Sequence, residues 1–477
     1  MPRTRIVCTI GPASREPETL RQLIQAGMDV ARLNFSHGDQ AIHAENIRRI
    51  RAAAAEVGKP VGILADLQGP KLRVGAMDGA GVWLPEGNQA TLTTDDIVGR
   101  TPAALPVQYE GFPGLVSTGS RVLLDDGLLE LEVLATGPTQ VHCRVIAGGL
   151  LKSNKGINLP RAALDLPSIT AKDRDDLAFA LAHGVDWLAL SFVRAAADVL
   201  ALKKLMHELA PRGPSLPVIA KIEKPEALDN IDAIVEAADG LMVARGDLGI
   251  ELSPEEVPIA QKQIVASCNR AGLPVITATQ MLESMVHNPR PTRAEASDVA
   301  NAVLDGSDAL MLSAETSIGD HPVLAVRTMA RIAREIETHR PNVAGCPFFG
   351  AAGHAVRTIA DAVAHAARET AHDLNAAAII TPTASGYTAR LMSHYRPRSP
   401  IIAVTPDTTV QQQLMLFWGV MPLLAPRTDN TDEMIAHAVQ AARQRGLIAS
   451  GDTVVITAGA AGTTAGTTNL MKVHIVG

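Results

Sequence analysis

The sequence predicts an α/β fold: a (β/α)8 barrel with a small β domain inserted in it and a separate α/β domain after it. Three observations predict this. Eight short apolar runs alternate with helix-like stretches over roughly the first 340 residues. The interval between the third and fourth runs, about 120 residues, reads as hairpins rather than a helix. The alternation then restarts near residue 350. At 477 residues the chain exceeds one ordinary core and suggests two to four domains.

The eight runs are RIVCTI (5–10), VARLNF (30–35), VGILAD (61–66), DWLALSF (186–192), PVIAKI (217–222), GLMVAR (240–245), PVITAT (274–279) and ALMLSA (309–314). Each is apolar on both faces, as parallel strands buried between layers are. Helices are expected over Pro17–Ala26, Asp39–Val57, Glu226–Ala238, Glu255–Ala271 and Pro322–His339. Another begins at Thr170, with Asp173 three residues on, and ends at Gly184, the pattern of a capping box and a glycine stop. A doubly wound open sheet competes, but eight successive βα units favour closure. In the inserted segment SRVLLDDGLLELEVL carries an Asp126-Gly127 turn between two strands. The expected boundaries are 1–70 with 161–340 for the barrel, 71–160 for the insert and 350–477 for the last domain, whose strands fall near 376–381, 400–405 and 452–457. An insert at the C-terminal end of barrel strands can close over a ligand as a lid.

A formal charge of −7 gives no reason to expect nucleic acid, and only 3% of the residues are aromatic, so the cores are aliphatic. The four cysteines, Cys8, Cys143, Cys268 and Cys346, form no CxxC pair, which argues for reduced thiols. No apolar run reaches the length of a membrane span, and MPRTR leads directly into a strand; a cytoplasmic location is expected.

Barrel chemistry sits where strands end. Those ends read Arg32, Asn34 and Ser36; Asp66; Ser191; Lys221 and Glu223; Arg245 and Asp247; Thr279; Ser313 and Glu315. So many polar groups on one rim are costly unless they serve each other or a ligand. Glu223 and Asp247 end adjacent strands, and two neighbouring carboxylates suit Mg²⁺ or Mn²⁺. The alternative is that each pairs with its own neighbour, Lys221 or Arg245. Lys221 and Arg32 add positive charge for an oxyanion, and Gly246 and Gly249 offer backbone N–H groups for a carboxylate. Thr279 is either a proton-handling hydroxyl or a core threonine bonded to backbone. A metal-dependent barrel lyase would share the carboxylate pair, and a non-catalytic effector-binding protein is the non-enzyme option.

CTIGPAS, GMDVARLNFSHG, VIAKIEKPEAL, LMVARGDLGIEL, TATQMLESM and RPTRAEASDVANAVLDGSDALMLSAET, in this order, closely resemble the pyruvate kinase family. The resemblance covers essentially the whole chain. It implies transfer of the phosphoryl group of phosphoenolpyruvate to ADP, giving ATP and pyruvate in the last step of glycolysis, by a homotetramer. It implies that Arg32 holds the transferring group and Lys221 neutralises its charge, with Glu223 and Asp247 binding Mg²⁺. Gly246 and Asp247 would receive the substrate carboxylate, and Thr279 would serve protonation of the enolate. Asn34, Phe35, Ser36, His37, Arg73 and Lys155 match nucleotide- or phosphate-contacting positions, Arg73 being carried as catalytic too. ADP would bring its own Mg²⁺ under the lid.

Many members need K⁺, at a site matching Asn34, Ser36, Asp66 and the Leu67 carbonyl. In that potassium-dependent pattern the positions of Leu67, Gln68 and Lys71 hold threonine, lysine and glutamate. This chain resembles the potassium-independent branch. A tethered ammonium at Lys71 supplies the +1 charge of K⁺. At 4–6 Å and an effective dielectric near 20, a unit charge is worth roughly 3–4 kcal/mol, enough to make a free cation redundant. K⁺ is therefore not expected to be required. In the last domain, TPTASGYTARLMSHYRP sets Thr383, Ser385, Gly386 and Thr388 between a strand and a helix. Hydroxyls and N–H groups there suit a phosphate, and the family's allosteric effector, a sugar phosphate or AMP, is expected there, with the loop from Ala461 as the other wall.

Overall fold

The structure, a computed structural model, describes residues 2–160, 167–211, 213, 215–339, 358–459 and 466–477. Its centre is a closed barrel of eight parallel strands in sequential order: Arg5–Thr9, Val30–Asn34, Gly62–Asp66, Trp187–Leu190, Val218–Ile222, Gly240–Ala244, Val275–Ala278 and Ala309–Leu312. All eight lie in the eight apolar runs, and every residue but Asn34 is buried. Burial on both faces is why these segments are apolar throughout rather than alternating.

The helix Ala171–Ala182 starts at Thr170 with the expected reciprocal capping box to Asp173. The stretch 226–238 is not one helix: Asn230 divides it into Pro225–Asp229 and Ile231–Ala237. Helices Ala196–Leu209, Arg245–Glu251 and Arg293–Asp305 were not anticipated. The second of these carries four of the candidate site residues, Arg245, Gly246, Asp247 and Gly249.

The insert contains a six-stranded curled sheet with its own apolar core around Leu92, Val122, Leu131 and Val141, and a separate two-stranded pair, Val82–Leu84 with Gly149–Leu151. Strands Arg121–Leu124 and Leu129–Thr136 flank the expected turn, where Asp125, Asp126 and Gly127 take positive φ. The last domain is a five-stranded sheet ordered 420–424, 401–405, 378–382, 453–458 and 470–475, with the final strand antiparallel. The first and last of these were not foreseen. Cys8, Cys143 and Cys268 are free buried thiols; Cys346 lies outside the described residues. No helix among the described residues is long and apolar enough to cross a membrane.

The floor of the barrel follows a repeated rule. Asp29, Asp186, Asp239 and Asp308 each precede an even-numbered barrel strand. Each accepts a backbone N–H at the start of the preceding strand: Ile6 at 3.0 Å, Ile63 at 2.6 Å, Val218 at 2.9 Å and Val275 at 3.1 Å. Each also pairs with a cation, respectively Lys59 at 2.9 Å, Arg51 at 2.8 Å, Lys203 at 2.8 Å and Arg396 at 2.9 Å. The unmet donors that open each strand pair are thus satisfied by a fixed acceptor.

The C-terminal domain packs against this floor. Phe417 lies 6.0 Å from Trp187, centroid to centroid, and the Trp187 indole donates to the Gln413 carbonyl at 3.2 Å. Gly62 is required here, because a Cβ would stand 2.9 Å from the Gln412 carbonyl oxygen.

Burial raises the Asp186 carboxyl to about 6, against the opposing pull of Arg51 and the Ile63 N–H. A carboxyl raised in the folded state contributes stability that is full at low pH and is lost as pH climbs through 6. Asp186→Asn removes that titration. Its melting temperature relative to the parent is expected to rise by several degrees between pH 5 and pH 8, by calorimetry. A difference independent of pH would show that Asp186 is already ionised at pH 5.

Candidate active site

The strand register brings the rim residues together. Asn34 lies beside Asp66 on the neighbouring strand, and Ala189 flanks Asp66 on the other side. Asp66, only 1% exposed, is the hub. Its Oδ2 accepts from Arg32 Nε at 2.7 Å, and its Oδ1 lies 3.3 Å from Lys221 Nζ. Arg32 also donates to the Thr9 hydroxyl at 3.0 Å. Lys221 continues to Glu223 at 2.8 Å and to Ser191 Oγ at 2.7 Å, while Ser191 donates to the Leu67 carbonyl at 2.7 Å. Glu223 Oε2 accepts from the Phe192 N–H at 2.7 Å.

Electrostatics fix the charge states along this chain. Burial pushes Asp66 up, but Lys221 and Arg32 outweigh it and hold the carboxyl below its usual range. Burial pulls Lys221 down, and Asp66 and Glu223 more than reverse that, so it stays an ammonium. Glu223 is raised, first by burial and then by the like charge of Asp247, against the pull of Lys221.

Asp247 lies in the first turn of the helix Arg245–Glu251, next to Gly246. It does not pair with Arg245, which reaches Asp298 at 2.7 Å. Its cation is Lys71, at 3.5 Å, which also faces Asp126 at 3.6 Å. Among the described residues Lys71 makes no bond to Asn34, Ser36 or Asp66. The carboxylate of the barrel that Lys71 accompanies is therefore Asp247, on the far side of the rim from the expected neighbours. Asn34 Oδ1 instead accepts from the Ser36 N–H at 3.1 Å.

Thr279 is half-buried at φ +67°, a costly conformation for a β-branched residue. Its hydroxyl accepts from the Gly246 N–H at 2.7 Å and donates to the Ala278 carbonyl at 2.6 Å, and Arg245 donates to its carbonyl at 2.8 Å. The bond to Gly246 joins Thr279 to the helix that bears Asp247.

The remaining residues sit around the mouth. Arg73 donates to the Asn154 carbonyl at 3.0 Å, and Lys155 pairs with Asp125 at 2.7 Å, both within the insert. Burial, with Arg73, Arg32 and Lys71 nearby, lowers His37 below the ordinary imidazole range. The Phe35 ring is buried against His43 and Phe179, so only its backbone can meet a ligand, and its carbonyl already accepts from Lys172 at 2.6 Å. Ser313 and Glu315 stand apart: Glu315 accepts the Ser313 and Leu282 N–H groups at 2.6 and 3.0 Å.

Two groupings escaped the sequence. Asp125 and Asp126 read only as turn residues, though each faces a lysine of the insert. Lys224 and Glu251 form a buried pair at 2.5 Å, and Asn158 of the insert donates to Glu251 at 3.2 Å. The doubled Asp in LLDDGLL was the available signal for the first; the second has none.

Two hard-oxygen carboxylates on adjacent strand ends, the burial and mutual repulsion of which keep Glu223 raised, fit a divalent cation with open positions. No cluster of three or more acidic, histidine or cysteine ligands occurs among the described residues, so substrate and water would complete the shell.

Comparisons with known proteins identify the family. The family model for the pyruvate kinase barrel domain matches residues 1–326, and that for the pyruvate kinase alpha/beta domain matches 361–474. The chain belongs to the pyruvate kinase family. It is 48% identical to the pyruvate kinase of Bacillus licheniformis, over all of this chain and 81% of that one. To pyruvate kinase 2 of Synechocystis it is 51% identical, over 99% of this chain and 79% of the relative. The crystal structure of a pyruvate kinase from Cryptosporidium parvum superposes with a TM-score of 0.91 at 40% identity, covering all of this chain and 96% of that one. As a member of the family the chain is a phosphotransferase working between phosphoenolpyruvate with ADP and pyruvate with ATP.

Lys221 separates two buried carboxylates. Lys221→Met is expected to leave Asp66 and Glu223 without their shared cation and to cost about 3–5 kcal/mol. That corresponds to roughly 6–20 °C in melting temperature for a domain this size. Calorimetry of the metal-free protein checks it; an unchanged transition would mean that water already solvates the pair.

Proposed function

We propose that the rim performs phosphoryl transfer with each residue in the role its surroundings suit. A β-phosphate oxygen of ADP attacks phosphorus, the bond from phosphorus to the enol oxygen breaks, and the electron pair left there forms the enolate of pyruvate. Such a transfer needs alignment and charge neutralisation more than a covalent nucleophile. Arg32 and Lys221 would hold the transferring group, and the carrying observation is that the buried Asp66 carboxylate fixes both cations on the rim, at 2.7 and 3.3 Å. Glu223 and Asp247 would hold Mg²⁺, or Mn²⁺ in its place, which when bound supplies Lewis-acid charge at the substrate oxygens. The Gly246 and Asp247 backbone would take the substrate carboxylate, and the Gly246 N–H would then leave the Thr279 hydroxyl free to orient a water that protonates the enolate carbon. Asn34, the Phe35 backbone, Ser36, His37, Arg73 and Lys155 would form the nucleotide side beneath the insert.

Members of the family normally use Mg²⁺ and K⁺. We assign Lys71 as a built-in substitute for the monovalent ion. Its ammonium faces Asp247 and Asp126, so it offsets excess negative charge beside the proposed metal ligand. In the C-terminal domain a cavity of about 410 Å³ is lined by Thr383, Ser385 and Thr388 with Arg427, Gly466 and Thr467. It suits a phosphorylated activator, a sugar phosphate or AMP. Of the loop read as its other wall, 461–465 lie outside the described residues. A cytoplasmic homotetramer completes the reading.

Pyruvate formation from phosphoenolpyruvate, ADP and Mg²⁺ in a potassium-free, tetramethylammonium-balanced buffer tests the assignment, with full activity expected before K⁺ is added. Lys71→Glu should lose at least tenfold and gain K⁺ stimulation; full activity with no response to K⁺ would remove the lysine role. Asp247→Asn should lower kcat at least a hundredfold and raise the Mg²⁺ requirement. Saturation curves unchanged by a panel of sugar phosphates and AMP would count against the activator.

A further inference from the structure

A second cavity, of about 240 Å³, lies on the other side of the loop that carries Ser385. Its walls come from two domains. The barrel floor supplies Trp187, Lys203 and Asp239, and the C-terminal domain supplies Ser385, Arg390 and Gln413. Asp239 is one of the four floor aspartates, and its charge is already met by Lys203 at 2.8 Å and the Val218 N–H at 2.9 Å. Arg390 has no such arrangement. It sits in the helix Tyr387–His394, and among the described residues its guanidinium has neither hydrogen bond nor ion pair. Burial lowers its pKa, and the Asp239 charge only partly opposes this.

The neighbouring interdomain cation shows what Arg390 lacks. Arg396, six positions on, reaches across the same joint to Asp308 at 2.9 Å and to the Gly306 carbonyl at 3.0 Å. A half-buried guanidinium in a polar cavity, with its nearest carboxylate engaged elsewhere, lacks an anion. The fork of N–H donors suits a phosphate in particular. With Lys203 and Arg390 against Asp239, the charged lining sums to +1, and the Ser385 hydroxyl adds a neutral donor.

We propose that this cavity binds a small phosphoryl anion, either inorganic phosphate or a phosphomonoester with a short organic body, between the barrel floor and the C-terminal domain. The site is distinct from the effector cavity, with which it shares Ser385. An anion there supplies the contact that Asp239 does not, and so ties Arg390 to the barrel as Arg396 is tied by Asp308.

Calorimetric titration of the full chain with inorganic phosphate, and separately with glycerol phosphate, tests this against two variants. Arg390→Gln removes the charge but breaks no bond of the folded chain, so it should fold normally and weaken phosphate binding at this site at least tenfold. Arg390→Lys should retain part of the affinity. Thr388→Val alters the other cavity, where Thr388 meets Thr468 at 2.8 Å, and should leave the Arg390-dependent binding intact. Tighter binding of glycerol phosphate than of phosphate would assign the phosphomonoester; equal binding would assign the free ion. Identical titrations of parent and Arg390→Gln would overturn the proposal, as would loss of binding in Thr388→Val alone. A crystal structure grown in phosphate with no anion beside Arg390 would overturn it too.

Discussion

The rim depends on a carboxylate that water cannot reach. Asp66 is buried where an isolated charge could not persist, and it does so only between Arg32 and Lys221. The dependence runs both ways, because Asp66 is, among the described residues, the one carboxylate that meets both cations, Arg32 being held also by the Thr9 hydroxyl and Lys221 by Glu223 and Ser191. Two positive groups are thereby preset before substrate arrives, and no reorganisation of solvent is needed to bring them to bear. Lys221 passes the constraint on to Glu223, and Glu223 feels Asp247. One buried acid on the third strand thus helps fix the ammonium of the fifth, which in turn meets Glu223.

Backbone strain is placed at the same end. Phe192, Thr279 and Gln280 have φ of 56°, 67° and 55°, all just past the ends of barrel strands. Each such residue costs on the order of 1–3 kcal/mol unless its surroundings enforce it. They do so at two of these positions. The Phe192 N–H is held by Glu223, and Arg245 grips the carbonyls of Ala278 and Thr279 at 3.3 and 2.8 Å. The turn after the seventh strand is therefore aimed at the helix bearing Asp247.

The barrel was legible because parallel strands buried on both faces are written as uninterrupted apolar runs, and their last polar residues are written where chemistry sits. Arg32, Asp66, Lys221 and Glu223 could be read off strand ends in this way. Partnerships could not. Nothing in the spacing says that Arg245 turns away to Asp298, or that Lys71 crosses from the insert to Asp247, since both depend on how separate segments meet. Helices such as Arg245–Glu251 were missed because they are too short to carry a period. The strand Leu470–Ile475 was missed because an exposed antiparallel edge follows neither the buried-strand nor the helical pattern.

The two ends of the barrel solve the same electrostatic problem in opposite ways. At the floor each of the four aspartates has its own backbone donor and a cation beside it, so its charge is met within the chain. At the rim, cations and carboxylates are shared along a chain, and the last carboxylate, Asp247, has among the described residues only an ammonium at 3.5 Å. A complete set stabilises; a shared and unfinished one leaves capacity for a ligand's charge. By the same criterion Arg390 belongs with the rim rather than the floor, although it lies at the floor's edge. Closing that gap would strengthen the joint on which the C-terminal domain rests, which gives an anion bound far from the rim a mechanical hold on the barrel.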